Sequence, residues 1–232
     1  MEADMERFGF RRISRNDPLM EEVYKLRYKV YVEEWGFEKP EDHPKGVEID
    51  PYDPHSFHLI AVDNKSDEVI GTMRVILTSP LGFPIQHHCT LTADCSGFDE
   101  QRLGEISRLA VSKEYRRRAG DRLIYDNGES AAAPVDKAMQ ERRKNEFAII
   151  TGLYTCMYKE SLAIGLQHWY AVMAKGLSIL LSRMGVTFTP IGPEVDYHGK
   201  RTPYIGAIDE IAKKVSVENA RFFDSYHQSA NI

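Results

Sequence analysis

The sequence predicts an α/β fold in which a central mixed β-sheet carries helices on both faces. Three observations lead there. Runs rich in β-formers alternate with helical runs along the chain; two of the β-rich runs are joined by a short polar turn, as in an antiparallel hairpin; and the C-terminal third sets strand, helix and strand in close succession, like a crossover unit. The 232 residues, 42% of them hydrophobic, suit one globular domain that needs neither disulfides nor metal to fold.

The elements follow in order. Phe8 to Ile13 reads as a first strand, and Asn16-Asp17-Pro18 supplies a capping residue with proline at the first helical position. Leu19, Val23, Leu26 and Val30 then mark the core stripe of a helix running from Pro18 to about Glu34, with Tyr24, Arg27 and Tyr31 as a second row beside it. Residues 36 to 54 hold four prolines, two glycines and many acids, which makes a long loop of the kind that often carries function. Ser56–Asp63 and Val69–Leu77 form the hairpin; alternation puts Gly71, Met73 and Val75 on one face and Thr72, Arg74 and Ile76 on the other.

Leu103–Val111 is the next strand, and residues 112 to 146, basic and poor in large apolar side chains, are expected to be an exposed, partly mobile insertion. Beyond it come a helix from about Phe147 to Leu166, a strand His168–Met173, a helix Lys175–Met184 ended by Gly185, a strand Val186–Ile191 and a last helix from Ile208 to about Tyr226.

Composition narrows the function. Thirty basic against 35 acidic side chains give a net charge of −5, which argues against a nucleic-acid-binding domain. Three cysteines do not make a secreted disulfide scaffold, and the first residues lack the basic segment and apolar run of an export signal, so a cytoplasmic protein is expected. The most apolar stretch, Trp169 to Val186, is interrupted by Lys175 and Arg183, so no membrane span is expected. His87, His88, Cys89 and Cys95 match no common zinc spacing, so no metal site is assigned, and Cys156, inside an apolar helix, reads as a core cysteine.

Charged residues on apolar elements carry the chemistry. Arg27 lies on the core-side helix, Asp50 and Asp53 in the run Glu48-Ile-Asp-Pro-Tyr-Asp53, Arg74 in one apolar strand, and Glu105, Ser107 and Arg108 in another. Buried charges need partners. Three arginines, Arg27, Arg74 and Arg108, against Asp50, Asp53 and Glu105 would make a neutral buried network. In Glu105-Ile-Ser-Arg108, regular alternation separates Ser107 from Arg108, unless a bulge re-aims one of them.

This pattern, Arg27 with Tyr31, Asp50 with Asp53, Arg74 in Gly-x-x-Arg, and Glu-x-Ser-Arg, resembles the LuxI-type acyl-homoserine-lactone (autoinducer) synthases and the related N-acyl amino acid synthases, which are variants of the GNAT acyltransferase fold. The segments 105–118, 168–173 and 191–199 further resemble the acyltransferases of the PEP-CTERM/exosortase system, and the likeness extends from Glu21 to about Glu210. It implies a single GNAT-like N-acyltransferase domain that moves a fatty acyl group from a thioester to the amine of an amino acid or similar small amine.

On that resemblance Glu105 is the base acting through a water, with Ser107 and Arg108 beside it on the catalytic strand and backbone N–H groups around Ser107 to Leu109 receiving the oxyanion. Arg27, Tyr31, Trp35, Phe37, Asp50, Asp53, Arg74, Leu109 and Trp169 would bind and organise the substrates. Phe37 stands where a lactone synthase carries tryptophan, with Trp35 displaced by two, which points to a different acceptor amine. Arg117-Arg-Ala-Gly120 followed by Asp121 lacks the second small residue of a coenzyme A pyrophosphate loop. The expected donor is therefore the acyl-phosphopantetheine of acyl carrier protein rather than acyl-CoA, with no permanently bound cofactor.

Arg116, Arg117, Arg118, Arg142, Arg143 and Lys144 would dock that acidic carrier, or else form a solvated basic surface. Met157, Leu162, Leu166, Trp169 and the run Leu177–Leu181 would line an acyl tunnel, or else be plain core. Two other readings stand beside the enzyme just described: a lactone synthase using S-adenosylmethionine, and a non-catalytic module that binds an acyl chain or acyl carrier protein.

Overall fold

The computed structural model describes residues 7–95, 97–116 and 137–218. Its secondary structure runs β1 (Phe8–Ile13), α1 (Met20–Tyr28), β2 (Ser56–Asp63), β3 (Glu68–Leu77), a short α2 (Pro84–His88), β4 (Leu103–Val111), α3 (Lys137–Ala163), β5 (His168–Met173), α4 (Lys175–Arg183), β6 (Thr189–Pro190), β7 (Val195–Asp196), β8 (Lys200–Ala207) and α5 (Ile208–Glu218). The strands form a mixed eight-stranded sheet in the order β1-β2-β3-β4-β5-β8-β6, with β7 paired to β8.

The chain divides into two compact units, and the division falls within β4. Residues 7–76, 107–116 and 137–157 make the described part of the first. Here β1, β2 and β3 form an antiparallel meander. Strand alternation sends Ile60, Thr72 and Arg74 to one face and Ala61 and Gly71 to the other. The first face receives α1, whose Met20 and Val23 pack with Ile13 and Ile60; the second receives α3, whose Ile149 lies against Gly71. Helices thus cover both faces of this part of the sheet.

Helix α1 is not uniform. Asp17 accepts the Leu19 N–H at its start, and after Tyr28 the coil widens into a π-helical turn over Lys29–Glu34. The Trp35 N–H reaches back to the Val30 carbonyl, 3.1 Å away, and Gly36, at φ +61°, ends the turn. One extra residue per turn swings the aromatic side chains of this segment around the helix axis, a device common at functional sites.

The second unit holds residues 77–106 and 158–218. Within it β4 pairs parallel with β5 from Leu103↔His168 to Ile106↔Ala171, and β5 pairs antiparallel with β8 along its full length. Gly192 packs close beneath its neighbours: a Cβ there would stand 2.1 Å from the Thr90 carbonyl oxygen, next to a loop held by hydrogen bonds from the Thr92 and Ala93 N–H groups to the Ile191 carbonyl.

The hairpin, β4, β5 and α4 fall within a residue of the expected bounds. Three readings are corrected. The helix expected from Phe147 begins at Lys137, because its first turns bury polar side chains, Asn145 and Glu146, rather than large apolar ones. The strand expected over Val186–Ile191 is only Thr189–Pro190; Val186 and Ile191 are buried, but from a loop. Strand β8 and helix α2 were not anticipated, since Pro203 and Gly206 disguise the former and the latter spans only five residues. Of the segment expected to be an exposed insertion, residues 117–136 lie outside the described residues, as does the end of the last helix beyond Glu218.

Gly192→Ala is expected to lower stability by roughly 1–3 kcal/mol, because the new methyl meets backbone that cannot rotate away; thermal unfolding should show a midpoint lower by about 2–4 °C per kcal/mol.

Candidate active site

Three arginines from three elements converge in the first unit. Arg27, fully buried on α1, donates through Nε to Glu48 Oε2 at 2.5 Å and through Nη1 and Nη2 to both oxygens of Asp53 at 2.6 and 3.2 Å. Arg74 on β3 donates through Nη1 and Nη2 to the two oxygens of Asp50 at 2.6 and 2.8 Å, through Nη1 also to Asp53 at 2.8 Å, and through Nε to Ser107 Oγ at 3.0 Å. Arg108 on β4 reaches Glu48 Oε1 at 3.0 Å, Glu38 at 3.2 Å and Asp50 at 3.1 Å. All four carboxylates come from the loop between α1 and β2. Its backbone is fixed by the same acids: Asp53 accepts the Asp50 N–H and Asp50 accepts the Tyr52 N–H, each at 2.8 Å.

Strand β4 bends where it meets this network. Arg108 has φ +50°, the left-handed region, which costs a non-glycine residue roughly 1–2 kcal/mol. Regular alternation would put Ser107 and Arg108 on opposite faces; the bend lets both side chains reach the same cluster, Ser107 on Arg74 and Arg108 on Glu48. The next residue is held too, because the Tyr31 hydroxyl donates to the Leu109 carbonyl at 2.8 Å while the Arg108 guanidinium lies 5.4 Å from the Tyr31 ring. The β4–β5 ladder ends at Ile106↔Ala171, two residues before the bend.

Burial alone would push the Glu48 carboxyl up, but the Arg27 and Arg108 guanidiniums outweigh it and hold it down, to about 2. Asp53 is likewise held well below the usual carboxylate range, against the effect of burial, by Arg27 and Arg74. Glu38, at the edge with 26% of its side chain exposed, is pushed up by burial. His58 lies behind the network on β2. Its buried ring nitrogens make no hydrogen bond; Nε2 stands 3.7 Å from Asp53 Oδ1, and the ring meets Tyr24 edge-on. Burial, with Arg27 and Arg74 nearby, lowers its pKa to about 4, despite the pull of Asp53.

Around the aromatic end of α1, Trp35 and Phe37 stack at 6.0 Å, and Tyr31 lies 6.4 Å from Phe37. Arg116 is buried here: it pairs with Glu34, donates to the Val111 carbonyl at 2.9 Å and stands 5.1 Å from the Trp35 ring. Its expected place on a carrier-docking surface is therefore corrected, because its charge is consumed inside the protein. Arg142 and Arg143 are half-buried and Lys144 is exposed on α3, and Arg117 and Arg118 lie outside the described residues.

In the second unit Glu105 is buried, and its Oε2 accepts the Ile85 N–H at 2.9 Å. Its parallel-strand partner is Tyr170, whose phenol is pushed up by burial and by its hydrogen bond with Cys95. Trp169 is a core residue, its Nε1 donating to Ser161 Oγ at 3.0 Å. Of the candidate tunnel residues, Met157, Leu166 and Leu181 are buried, whereas Leu162 and Ile179 are 50% and 44% exposed and cannot line an enclosed tunnel.

The expected neutral network is corrected in two ways: Glu48 stands in place of Glu105, whose hydrogen bond goes to α2, and Glu38 adds a fourth acid, so the three arginines face four carboxylates. The signal was present in composition, since Glu48 stands in the same short acidic run as Asp50 and Asp53.

Residues 26–126 match the family profile described as acetyltransferase (GNAT) domain. The segment has the fold of a GNAT domain, and it contains the arginine–carboxylate network and β4 with its bend. Solved structures similar to the whole chain agree in fold. A CoA-dependent acyl-homoserine lactone synthase, BjaI, with SAM and isopentyl-CoA, superposes with a TM-score of 0.60 at 18% identity, over 97% of this chain and 90% of that one. TofI, in a ternary complex with an inhibitor and MTA, gives 0.61 at 17%, over 92% and 96%. FeeM, an N-acyl amino acid synthase from uncultured soil microbes, gives 0.55 at 15%, over 93% and 97%. No curated protein sequence matches the chain. Among the described residues, no helix is long and apolar enough to cross a membrane.

Because His58 titrates near 4 when folded and near 6.5 when unfolded, the unfolded chain takes up the proton first as pH falls, and stability declines through that window. Denaturant unfolding of the wild type at pH 7, 6 and 5 should lose on the order of 1–3 kcal/mol more than His58→Phe does; parallel slopes would show that His58 does not contribute.

Proposed function

We propose that the protein is an N-acyltransferase that moves a fatty acyl group from the phosphopantetheine thioester of an acyl carrier protein to the amine of an amino acid or similar small amine. The observation that carries the reading is the left-handed Arg108 in the middle of β4, two residues beyond Ile106, the last residue of the parallel β4–β5 ladder. A strand that stops pairing leaves backbone N–H groups without a ladder partner, and such donors can receive a carbonyl oxygen as it becomes an oxyanion.

The reacting groups follow one another along β4. An α-amine with a pKa of about 7.7–8 needs only modest help to lose its proton. Glu105, held by the Ile85 N–H, takes that proton through a water. The amine nitrogen attacks the thioester carbonyl, the C–N bond forms, the C–S bond breaks, and the thiol leaves with a proton. Ser107 Oγ accepts from Arg74, which leaves its own O–H to donate toward the reacting centre. Arg27, Asp50, Asp53, Arg74 and Arg108 hold the loop and the bend and shape the polar end; Tyr31, Trp35, Phe37 and Leu109 flank it.

Arg142, Arg143 and Lys144 on α3, with Arg117 and Arg118, would favour an acidic carrier protein as donor. BjaI is described as CoA-dependent, so a donor comparison belongs to the test. A lactone synthase using S-adenosylmethionine is the second reading, favoured by the fold likeness to BjaI. The sequence likeness to exosortase-associated acyltransferases would make the product part of cell-envelope biology, and the few cysteines suit a cytoplasmic enzyme.

Mass spectrometry of lipid extracts from cells expressing the wild type should reveal an N-acylated amine that Glu105→Ala cells lack, with activity reduced on the order of a hundredfold or more. Purified enzyme should use acyl carrier protein thioesters in preference to acyl-CoA. Release of methylthioadenosine would instead establish the lactone synthase, and lipid profiles identical in both cell lines, with soluble protein present, would point to the binding module.

A further inference from the structure

We infer that Glu48 is a positioning residue for acyl transfer, acting by clamping Arg108 in its left-handed backbone conformation on β4. The inference rests on the N-acyltransferase reading and extends it to a residue outside the reacting strand.

Glu48 is fully buried between two guanidiniums, with Oε2 2.5 Å from Arg27 Nε and Oε1 3.0 and 3.2 Å from Arg108 Nη2 and Nε. Arg27 is itself fixed by both oxygens of Asp53. The Arg27–Asp53 pair is therefore a rigid post, and Glu48 links that post to β4. Arg108 has two other carboxylate partners, but Glu38 and Asp50 are 26% and 16% exposed; Glu48 is the wholly buried one.

The ion pair and the backbone conformation depend on each other. If residue 108 relaxed to an extended conformation, its Cβ would turn toward the opposite face of the strand, and the guanidinium would leave Glu48. Without Glu48, only the more exposed Glu38 and Asp50 and the Tyr31 ring are left to offset the strain of a left-handed arginine, a conformation that glycine would adopt freely. The flanking residues are tied by other groups, Ser107 by Arg74 and Leu109 by Tyr31, so Glu48 governs the residue between them. A glutamine at 48 would present one acceptor and an NH2 group to two guanidiniums and break the clamp while conserving its shape.

The test compares the wild type, Glu48→Gln, Arg108→Gly, Arg108→Ala and the double variant Glu48→Gln/Arg108→Gly, using the thioester and amine that the wild type turns over. Backbone carbon chemical shifts of residue 108 are measured in parallel. Glu48→Gln should lower kcat about a hundredfold with KM changed less than about threefold. Arg108→Gly should keep roughly tenfold more activity than Arg108→Ala, because glycine holds a positive φ without a clamp. In the Arg108→Gly background Glu48→Gln should cost less than about threefold. The residue 108 shifts should be left-handed in the wild type and extended in Glu48→Gln.

An equal loss from Glu48→Gln in both backgrounds, a change confined to KM, or left-handed shifts that survive in Glu48→Gln would overturn the clamp. If Glu48→Gln does not fold, Arg108→Ala and Arg108→Gly decide the matter, since both keep the Arg27–Glu48 pair, and equal activity would overturn it. If the wild type turns over no thioester with any amine, the N-acyltransferase reading fails, and the chemical shifts alone judge the clamp.

Discussion

Arg27, Arg74 and Arg108 come from a helix and two strands separated widely in sequence, and a guanidinium enters a protein interior only with anionic partners. One loop supplies those partners, with Glu38, Glu48, Asp50 and Asp53 spread over sixteen residues. The seven charges cannot be satisfied piecemeal: Asp53 is shared by Arg27 and Arg74, Asp50 by Arg74 and Arg108, and Glu48 by Arg108 and Arg27. Each carboxylate thus joins two elements, and the three together close a ring. Loss of one member leaves a buried charge exposed to low dielectric, which typically costs about 3–5 kcal/mol. The loop is therefore bound to α1, β3 and β4 by electrostatics rather than by apolar packing, and it has little regular structure of its own.

The same ring shapes strand β4. A regular β4 would direct Ser107 and Arg108 to opposite faces. The network demands both, and the backbone bends at Arg108 to comply. That bend follows the last β4–β5 pair, so the residues the network pulls aside are those released from the ladder. The strain is local, and the ion pairs around it offset its cost. In the proposed reaction the buried arginines serve by shaping a strand, while proton transfer is assigned to Glu105, whose carboxylate accepts a backbone N–H from α2.

Most of the framework was legible. The strands β2 to β5 and helix α4 announce themselves by alternation, apolar spacing and a terminal glycine, and these are local signals. Arg27, Asp50, Asp53, Arg74, Ser107 and Arg108 stood out because charge in apolar elements must be paired, and the structure brings all six together. What was hidden depends on tertiary context. Charge balance counts members without saying which carboxylate reaches which guanidinium, so it does not distinguish Glu105 from Glu48. Arg116 sits in a basic run that reads as surface, yet its guanidinium is buried beside Trp35. The π-helical turn at Lys29–Glu34 and the strand β8, with its proline and glycine, have no reliable pattern in single-sequence periodicity.

If the arginine–carboxylate network holds β4 open at Ser107 to Leu109 for the acyl thioester, amide hydrogen exchange along β4, with and without a non-hydrolysable acyl-pantetheine thioether, will report it. Exchange at residues 107 to 109 should slow when the analogue binds, with no change in β1 or β2. Unaltered exchange at these three amides under conditions where the analogue is bound would contradict it.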